Sequence, residues 1–156
     1  YGLPIWAKRD ILVPFNTHPD DYDINDVIPA ALHANTVEGK LYGLPFVAET
    51  TLTFYRKDLL DKFNLSLPSV LTYTDIKALA QQVHMPEKEV YGVGLRTRVG
   101  WGQNMALVST MANTYGASWL DEKMQPTLDS KAWFNAVSMY ADLAKNLIFP
   151  AKSAFY

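Results

Sequence analysis

A single carboxylate stands in an apolar and threonine-rich run of the chain. Glu49 lies within Phe46-Val47-Ala48-Glu49-Thr50-Thr51, and a charge in such a setting needs a partner because burying an unpaired charge is costly. Two interpretations stay open: a structural ion pair, or an acceptor of hydrogen bonds from ligand hydroxyls. Glycoside hydrolysis would require two carboxylates across one bond, and no second carboxylate has a matching setting in the sequence.

The other dense group of polar side chains is a loop over residues 96–104. It reads Arg-Thr-Arg-Val-Gly-Trp-Gly-Gln-Asn. Trp101 lies between two glycines, which let a ligand come close, and its face can stack on the C–H side of a sugar ring or a carbon chain. Arg96 and Asn104 can hydrogen-bond to hydroxyl groups. The alternative is that Trp101 fills a hydrophobic gap; we favour binding, because α/β proteins place ligands at loops that join a strand to a helix.

Hydrophobic periodicity predicts the elements that position these two groups. Alternating side chains predict a strand over 40–55, which carries Glu49. A second strand is predicted over 90–95, where Gly92 and Gly94 would let another backbone approach closely. Helical spacing, prolines and caps predict helices at 4–10, 56–63, 72–83, 104–115 and from Asp129 or Ser130 up to Pro150.

Two of these helices carry more detailed signals. Thr72-x-x-Asp75 resembles a capping box, with Asp in place of Glu. The last helix has an apolar stripe, of which the first four residues are predicted to pack against a sheet: Trp133, Val137, Tyr140, Ala144 and Leu147. Strands that alternate with helices predict an α/β fold.

Composition excludes several classes of protein. The 156 residues contain no cysteine, which excludes disulfides, thiolate metal sites and cysteine nucleophiles. The net charge of −2 argues against nucleic acid as a partner, and no apolar stretch approaches the ~20 residues of a membrane span. The three histidines share no metal-ligand spacing and no dinucleotide fingerprint occurs, so we expect neither metal nor cofactor. The chain starts at Tyr1 without a charged region or a cleavage site, so we expect no signal peptide in it.

Four motifs in order resemble the extracellular solute-binding protein family that includes the maltose-binding proteins. They are Gly39-Lys40-Leu41-Tyr42-Gly43-Leu44-Pro45, then Glu49, then Phe54-Tyr55-Arg56-Lys57-Asp58-Leu59-Leu60, then Thr72-Tyr73-Thr74-Asp75-Ile76. Tyr91 to Arg96, Gly100 to Met105 and Pro4 to Lys8 are similar to the branch that binds sorbitol, mannitol and related polyols. The resemblance covers nearly the whole chain. Tyr73, Thr50-Thr51 and Gln103 depart from the pattern of that branch, which bears on the exact ligand.

The resemblance implies a two-lobed, non-catalytic receptor of which this chain is a central stretch. Residues 1–48 would be a remnant of the N-terminal lobe and the crossover, and residues 49–156 the main part of the C-terminal lobe. In the family the ligand lies between the lobes. By position, the ligand-binding residues would be Glu49 as acceptor, Trp101 as stacking face, Arg96 and Asn104 as hydrogen-bonding neighbours, and Tyr1 in the preceding loop.

The resemblance also implies where such a receptor works and with what. Its partners would be a sugar or polyol and the membrane permease of an ABC importer, and it would lie in the periplasm or outside the cell. Two alternatives stay open on the residues alone. A carbohydrate hydrolase with Glu49 as its acid would need a second carboxylate ~5–10 Å away. An effector-binding lobe of a regulator would go with a basic DNA-reading helix, and none is evident.

Overall fold

A computed structural model describes residues 2–100 and 102–148 of the chain. These residues form six α-helices, two single turns of 3-10 helix (Ile24–Asp26 and Pro86–Lys88) and one antiparallel hairpin. The elements in chain order are α1 Leu3–Lys8, α2 Pro29–Ala34, β1 Thr36–Val37, β2 Lys40–Leu41, α3 Lys57–Lys62, α4 Tyr73–Val83, α5 Asn104–Thr114 and α6 Lys131–Asn146. None of the helices in the described ranges is long and apolar enough to cross a membrane.

The contacts divide the chain into two compact units, between Thr50 and Thr51. The first unit contains α1, α2 and the hairpin β1–β2, with Val37 buried. Its two-residue turn, Glu38-Gly39, has positive φ at both positions, which matches the right-handed twist of the paired strands. Glycine adopts that conformation without strain, whereas Glu38 does so at some cost.

The second unit is built around the contact between α5 and α6. Met111 of α5 and Leu143 of α6 are completely enclosed. Six further buried residues complete this core: Ala80, Ala112, Ala117, Trp133, Ala136 and Leu147. A core of this kind is stabilised by the apolar area that it removes from water, about 25 cal/mol per Å².

The predicted helix signals are confirmed in this unit. The Thr72 hydroxyl accepts from the amide of Asp75, and the Asp75 carboxylate accepts from the amide of Thr72, so the capping box is complete. Gly116 follows the end of α5 with a φ of 77°, as a terminating glycine should. Of the two predicted caps for the last helix, Ser130 is the one whose side chain accepts from Trp133 N.

The buried face of α6 is rotated from the predicted stripe. Trp133 and Leu147 are buried as expected, but Val137 is 46% exposed and Ala144 is half-buried. Ala136 and Leu143 take the buried positions instead. The predicted packing against a sheet is wrong in the described residues, because α6 packs on α5.

The strand predicted over 40–55 is largely wrong. Lys40–Leu41 forms β2, but residues 42–56 have no helical or strand hydrogen bonding. Every residue from 46 to 58 is exposed, and Phe46 and Phe54 are 97% and 89% exposed. A strand exists through the hydrogen bonds of a neighbour, and no described segment pairs with this one.

The strand predicted over 90–95 pairs with another segment only at its start, and its remaining residues form no strand. Val90 forms an isolated bridge with Met85. The predicted close approach is confirmed at Gly92, where a Cβ would lie 2.4 Å from the carbonyl oxygen of Ala80. It is wrong at Gly94, where a Cβ would meet nothing within 4 Å. Helix packing, rather than a neighbouring strand, therefore holds this segment.

Candidate functional site

The loop over 96–104 is closed by hydrogen bonds of its own. The Arg96 guanidinium Nη1 donates to the carbonyl oxygen of Gly102 at 3.0 Å. The amide of Asn104 donates to the carbonyl of Arg98 at 3.1 Å, and the amide of Gln103 donates to that of Gly100 at 3.2 Å. Gly100 and Gly102 both have positive φ, 154° and 67°, so the loop depends on glycine on either side of residue 101.

Asn104 is the first residue of α5 and has an unsatisfied acceptor. Its Oδ1 atom is buried and has no hydrogen-bond partner among the described residues. The residue before it, Gln103, caps the helix without any side-chain hydrogen bond. The amide of Asn104 itself is bonded to Arg98, but the amides that follow it receive no side-chain hydrogen bond from the capping residue, and the buried acceptor lies next to them. An alcohol hydroxyl, which donates and accepts at once, matches that combination.

A tyrosine on α6 holds the start of the loop, a role that the sequence-based interpretation missed. Tyr140 was placed in an apolar stripe, but its hydroxyl donates to the carbonyl oxygen of Arg96 at 3.1 Å. Partial burial raises the pKa of the Tyr140 phenol above its ordinary value. Helical spacing alone could not reveal this bond, because it joins residues 44 positions apart.

Glu49 lies in the first unit, on the exposed segment that was predicted to be a strand. The residue is exposed and forms no ion pair with the rest of the described chain. The structural ion pair therefore finds no support among the described residues. The hydroxyl of Thr51, two residues on, lies 3.2 Å from that of Thr110 in α5.

Two of the predicted ligand-binding residues, Tyr1 and Trp101, lie outside the described residues. The described neighbours of Trp101 are Gly100 and Gly102, both with positive φ. Arg96 and Asn104 are thus the predicted site residues that the structure brings together in one loop.

An open apolar groove of about 620 Å³ begins beside the loop, at Met105. It runs between α5 and α6, and the ring of Trp119 meets that of Trp133 at its wall, with centroids 4.5 Å apart. The Trp133 indole donates to the carbonyl of Ser118 at 2.6 Å, which fixes the ring. The groove offers mainly apolar and aromatic surface, and its polar lining residues are Asp129, Ser130 and Ser138.

The charged groups of the described residues form no centre of the kind that a metal requires. Within 2–100 and 102–148, no group of three or more His, Asp or Glu residues could hold a metal ion. Asp142 forms an ion pair with Lys77. Hydrogen bonds from Lys77 and from Asn146 lower the pKa of the Asp142 carboxyl. That pair ties α6 to α4 and lies apart from the loop in sequence.

The comparisons with known proteins agree with one another. Residues 1–154 match the family model for bacterial extracellular solute-binding proteins. A mannitol-binding protein of Pseudomonas aeruginosa is 37% identical over 154 residues, which are 99% of this chain and 35% of that relative. An ABC transporter solute-binding protein of Agrobacterium vitis S4, solved with bound D-mannitol, is 40% identical with a TM-score of 0.85; the match covers 99% of this chain and 38% of that one.

A more distant solved structure shows the same fold. It is an ABC transporter solute-binding protein of Agrobacterium radiobacter K84 in complex with ribitol, with a TM-score of 0.62 at 24% identity over 92% of this chain and 33% of that one. The chain spans about a third of the length of these proteins. The predicted class, part of a two-lobed α/β binding-protein fold, is confirmed by these likenesses. The chain belongs to the bacterial extracellular solute-binding proteins.

Proposed function

We propose that this chain is part of the substrate-binding component of an ABC importer for a sugar alcohol such as mannitol. Two relatives support this ligand class, because their sequence identities of 37% and 40% indicate more than a shared fold. They are a mannitol-binding protein and a solute-binding protein solved with bound D-mannitol. The observation in the chain itself that carries the proposal is the buried, unpartnered Oδ1 of Asn104 at the uncapped start of α5. A buried acceptor left without a donor costs about 1–3 kcal/mol, and a ligand hydroxyl would remove that cost.

The other ligand-binding residues in this proposal follow the family pattern. Arg96 adds hydrogen-bond donors from the same loop, and one of its five N–H groups is already used on Gly102. Trp101 supplies a face for the carbon skeleton of the ligand. Glu49 is proposed to accept hydrogen bonds from further ligand hydroxyls, and Tyr1 to donate to them. Glu49 is exposed, so its carboxylate is accessible to a ligand.

The domain organisation and cellular setting belong to the same proposal. Residues 1–48 would contribute to the N-terminal lobe and its crossover, and residues 49–156 to the C-terminal lobe. The partner would be the membrane permease of the importer, and the protein would act in the periplasm or at the outer cell surface. Its family membership, as a bacterial extracellular solute-binding protein, supports this setting.

Calorimetry on the full gene product tests the role of Asn104. We expect Asn104→Ala to weaken D-mannitol binding by about 1–2 kcal/mol, the worth of one buried hydrogen bond. The same change should leave the free energy of unfolding of the ligand-free protein unchanged or slightly raised, because it removes an unsatisfied buried oxygen. The matched control is Asn113→Ala, at an exposed position of the same helix, which should alter neither quantity.

The opposite pattern would identify Asn104 as a structural residue. If Asn104→Ala destabilised the free protein and left the affinity for D-mannitol, sorbitol and ribitol unchanged, the site would not lie at the start of α5. If the unaltered protein bound none of the polyols but bound a disaccharide, the ligand class would be wrong while the family assignment remained.

Lack of turnover is the remaining element of the proposal. Incubation with aryl glycosides should give no saturable release of the aryl alcohol. Hydrolysis that disappears in Glu49→Gln would overturn the receptor role and establish the hydrolase alternative, because that change removes a carboxyl acid and retains its shape.

A further inference from the structure

We propose that Tyr140 is a positioning residue for the binding loop: its hydroxyl fixes the loop over 96–104 in the conformation that takes up the ligand. This inference rests on the proposed function, because it concerns the same loop. It assigns a role to a residue on α6, in a part of the chain that supplies none of the predicted ligand contacts.

The loop needs an external anchor because of its composition. Gly100 and Gly102 flank residue 101, and glycine loses more conformational freedom on ordering than any other residue. Residues 96, 98 and 99 are exposed, so apolar packing holds little of the loop in place. The amides of Gln103 and Asn104 are bonded to carbonyls within the loop, and Asn104 begins α5, so the C-terminal end of the loop is held while its N-terminal end needs a separate attachment.

Arg96 takes part both in the hydrogen bond that closes the loop and in the one that attaches the loop to α6. Its guanidinium closes the loop by donating to the carbonyl of Gly102 at 3.0 Å. Its own carbonyl oxygen accepts from the Tyr140 hydroxyl at 3.1 Å. Three residues before it, the amide of Val93 donates to the carbonyl of Leu147, at the end of α6. The segment that leads into the loop is therefore held to α6 at two points, and Tyr140 is the one next to the loop.

The helix that carries this anchor is packed in the core. Leu143 of α6 is completely enclosed and packs in the core with Met111 of α5. The ion pair between Lys77 and Asp142 ties α6 to α4. Tyr140 thus holds the loop, which has little apolar packing of its own, at a fixed place on a well-packed helix.

The test is Tyr140→Phe in the full gene product, which removes one oxygen atom and keeps the ring. We expect amide hydrogen exchange at Gln103 and Asn104 to become about 3- to 10-fold faster in the ligand-free protein, the effect of losing one hydrogen bond. The amide of Val93, which is held by Leu147, serves as the internal reference and should keep its rate. The Kd for D-mannitol should rise about two- to fivefold, because a smaller fraction of the protein has the competent loop.

The matched control is Lys77→Met, which loosens α6 without removing a bond to the loop. It should lower the melting temperature and leave the ratio of exchange at Asn104 to that at Val93 unchanged. Unchanged exchange at both loop amides in Tyr140→Phe would overturn the positioning role, whatever happens to the affinity. Faster loop exchange in a protein that binds no polyol would instead sustain the anchor and refute the proposed function.

Discussion

Two segments of this chain, 40–55 and 90–95, were predicted as strands, and the structure holds them to different degrees. Residues 90–95 are half-buried except at Gly94, and both Gly92 and Val93 donate their amides to defined partners, His84 Nδ1 and the carbonyl of Leu147. In the segment predicted over 40–55, only Lys40–Leu41 is paired, and residues 46–55 are exposed throughout and pair with no described strand. The difference shows that a strand-like sequence is held in place only where other elements supply hydrogen-bond partners and a surface to cover.

The largest expected effect concerns the loop over 96–104, which follows the segment 90–95. In the full gene product, Trp101→Ala should weaken polyol binding by about 2–4 kcal/mol, the range for a central aromatic anchor. The reason is that a lost stacking face removes apolar contact that no glycine neighbour can replace. Calorimetry with hexitols, pentitols and disaccharides measures this directly.

Glu49→Gln makes the companion measurement on the exposed segment. It should cost less, about 1–3 kcal/mol, because an amide still accepts a hydrogen bond but loses the charge-assisted part. Equal affinity of Trp101→Ala and the unaltered protein for every ligand would show that the tryptophan is structural, and that the 96–104 loop is not the site.

The next effect tests how residues 90–95 are held. Gly92→Ala should lower the free energy of unfolding by about 1–3 kcal/mol, because its Cβ would meet the Ala80 carbonyl of α4 at 2.4 Å. Gly94→Ala is the matched control, since it adds the same methyl group two residues away in open space. Urea unfolding measures both, and equal losses at the two glycines would contradict the packing described for Gly92.

A smaller effect is expected from the exposed segment. In the 156-residue chain, Phe54→Ser should change the free energy of unfolding by less than about 0.5 kcal/mol, because the ring is 89% exposed. In the full gene product the same substitution reports whether something else covers this ring. A loss of several kcal/mol there would show that a part of the protein beyond this chain packs on residues 46–56.

The smallest expected effect is a pH dependence. Hydrogen bonds from Lys77 and Asn146 lower the pKa of Asp142 in the folded chain, so the folded state binds fewer protons than the unfolded state near the ordinary Asp pKa. The stability from this group is therefore complete above the unfolded pKa and is lost as the pH falls through the folded one. Thermal melts between pH 6 and pH 2 should show a shallower acid loss in Asp142→Asn, and an unchanged acid slope would exclude the pair as a contributor.

Helix positions in this protein could be predicted from the sequence because the signals that set them are local. The Thr72–Asp75 capping box spans four residues, and Gly116 ends α5 through its own backbone freedom. The rotated face of α6 could not be predicted in the same way. Whether Ala136 or Val137 is buried depends on the direction from which α5 approaches, and both residues are apolar.

For the candidate site, too, some features depend on single residues and others on how distant segments pack. By itself the sequence determined which residue types could bind an alcohol, namely Glu49, Arg96, Trp101 and Asn104, because hydrogen-bonding capacity and ring shape belong to each side chain. Only the tertiary structure decided that Asn104 Oδ1 is buried without a partner and that Tyr140 holds the loop. Burial and a bond across 44 residues depend on which segments meet in space, and a pattern along the chain does not contain that information.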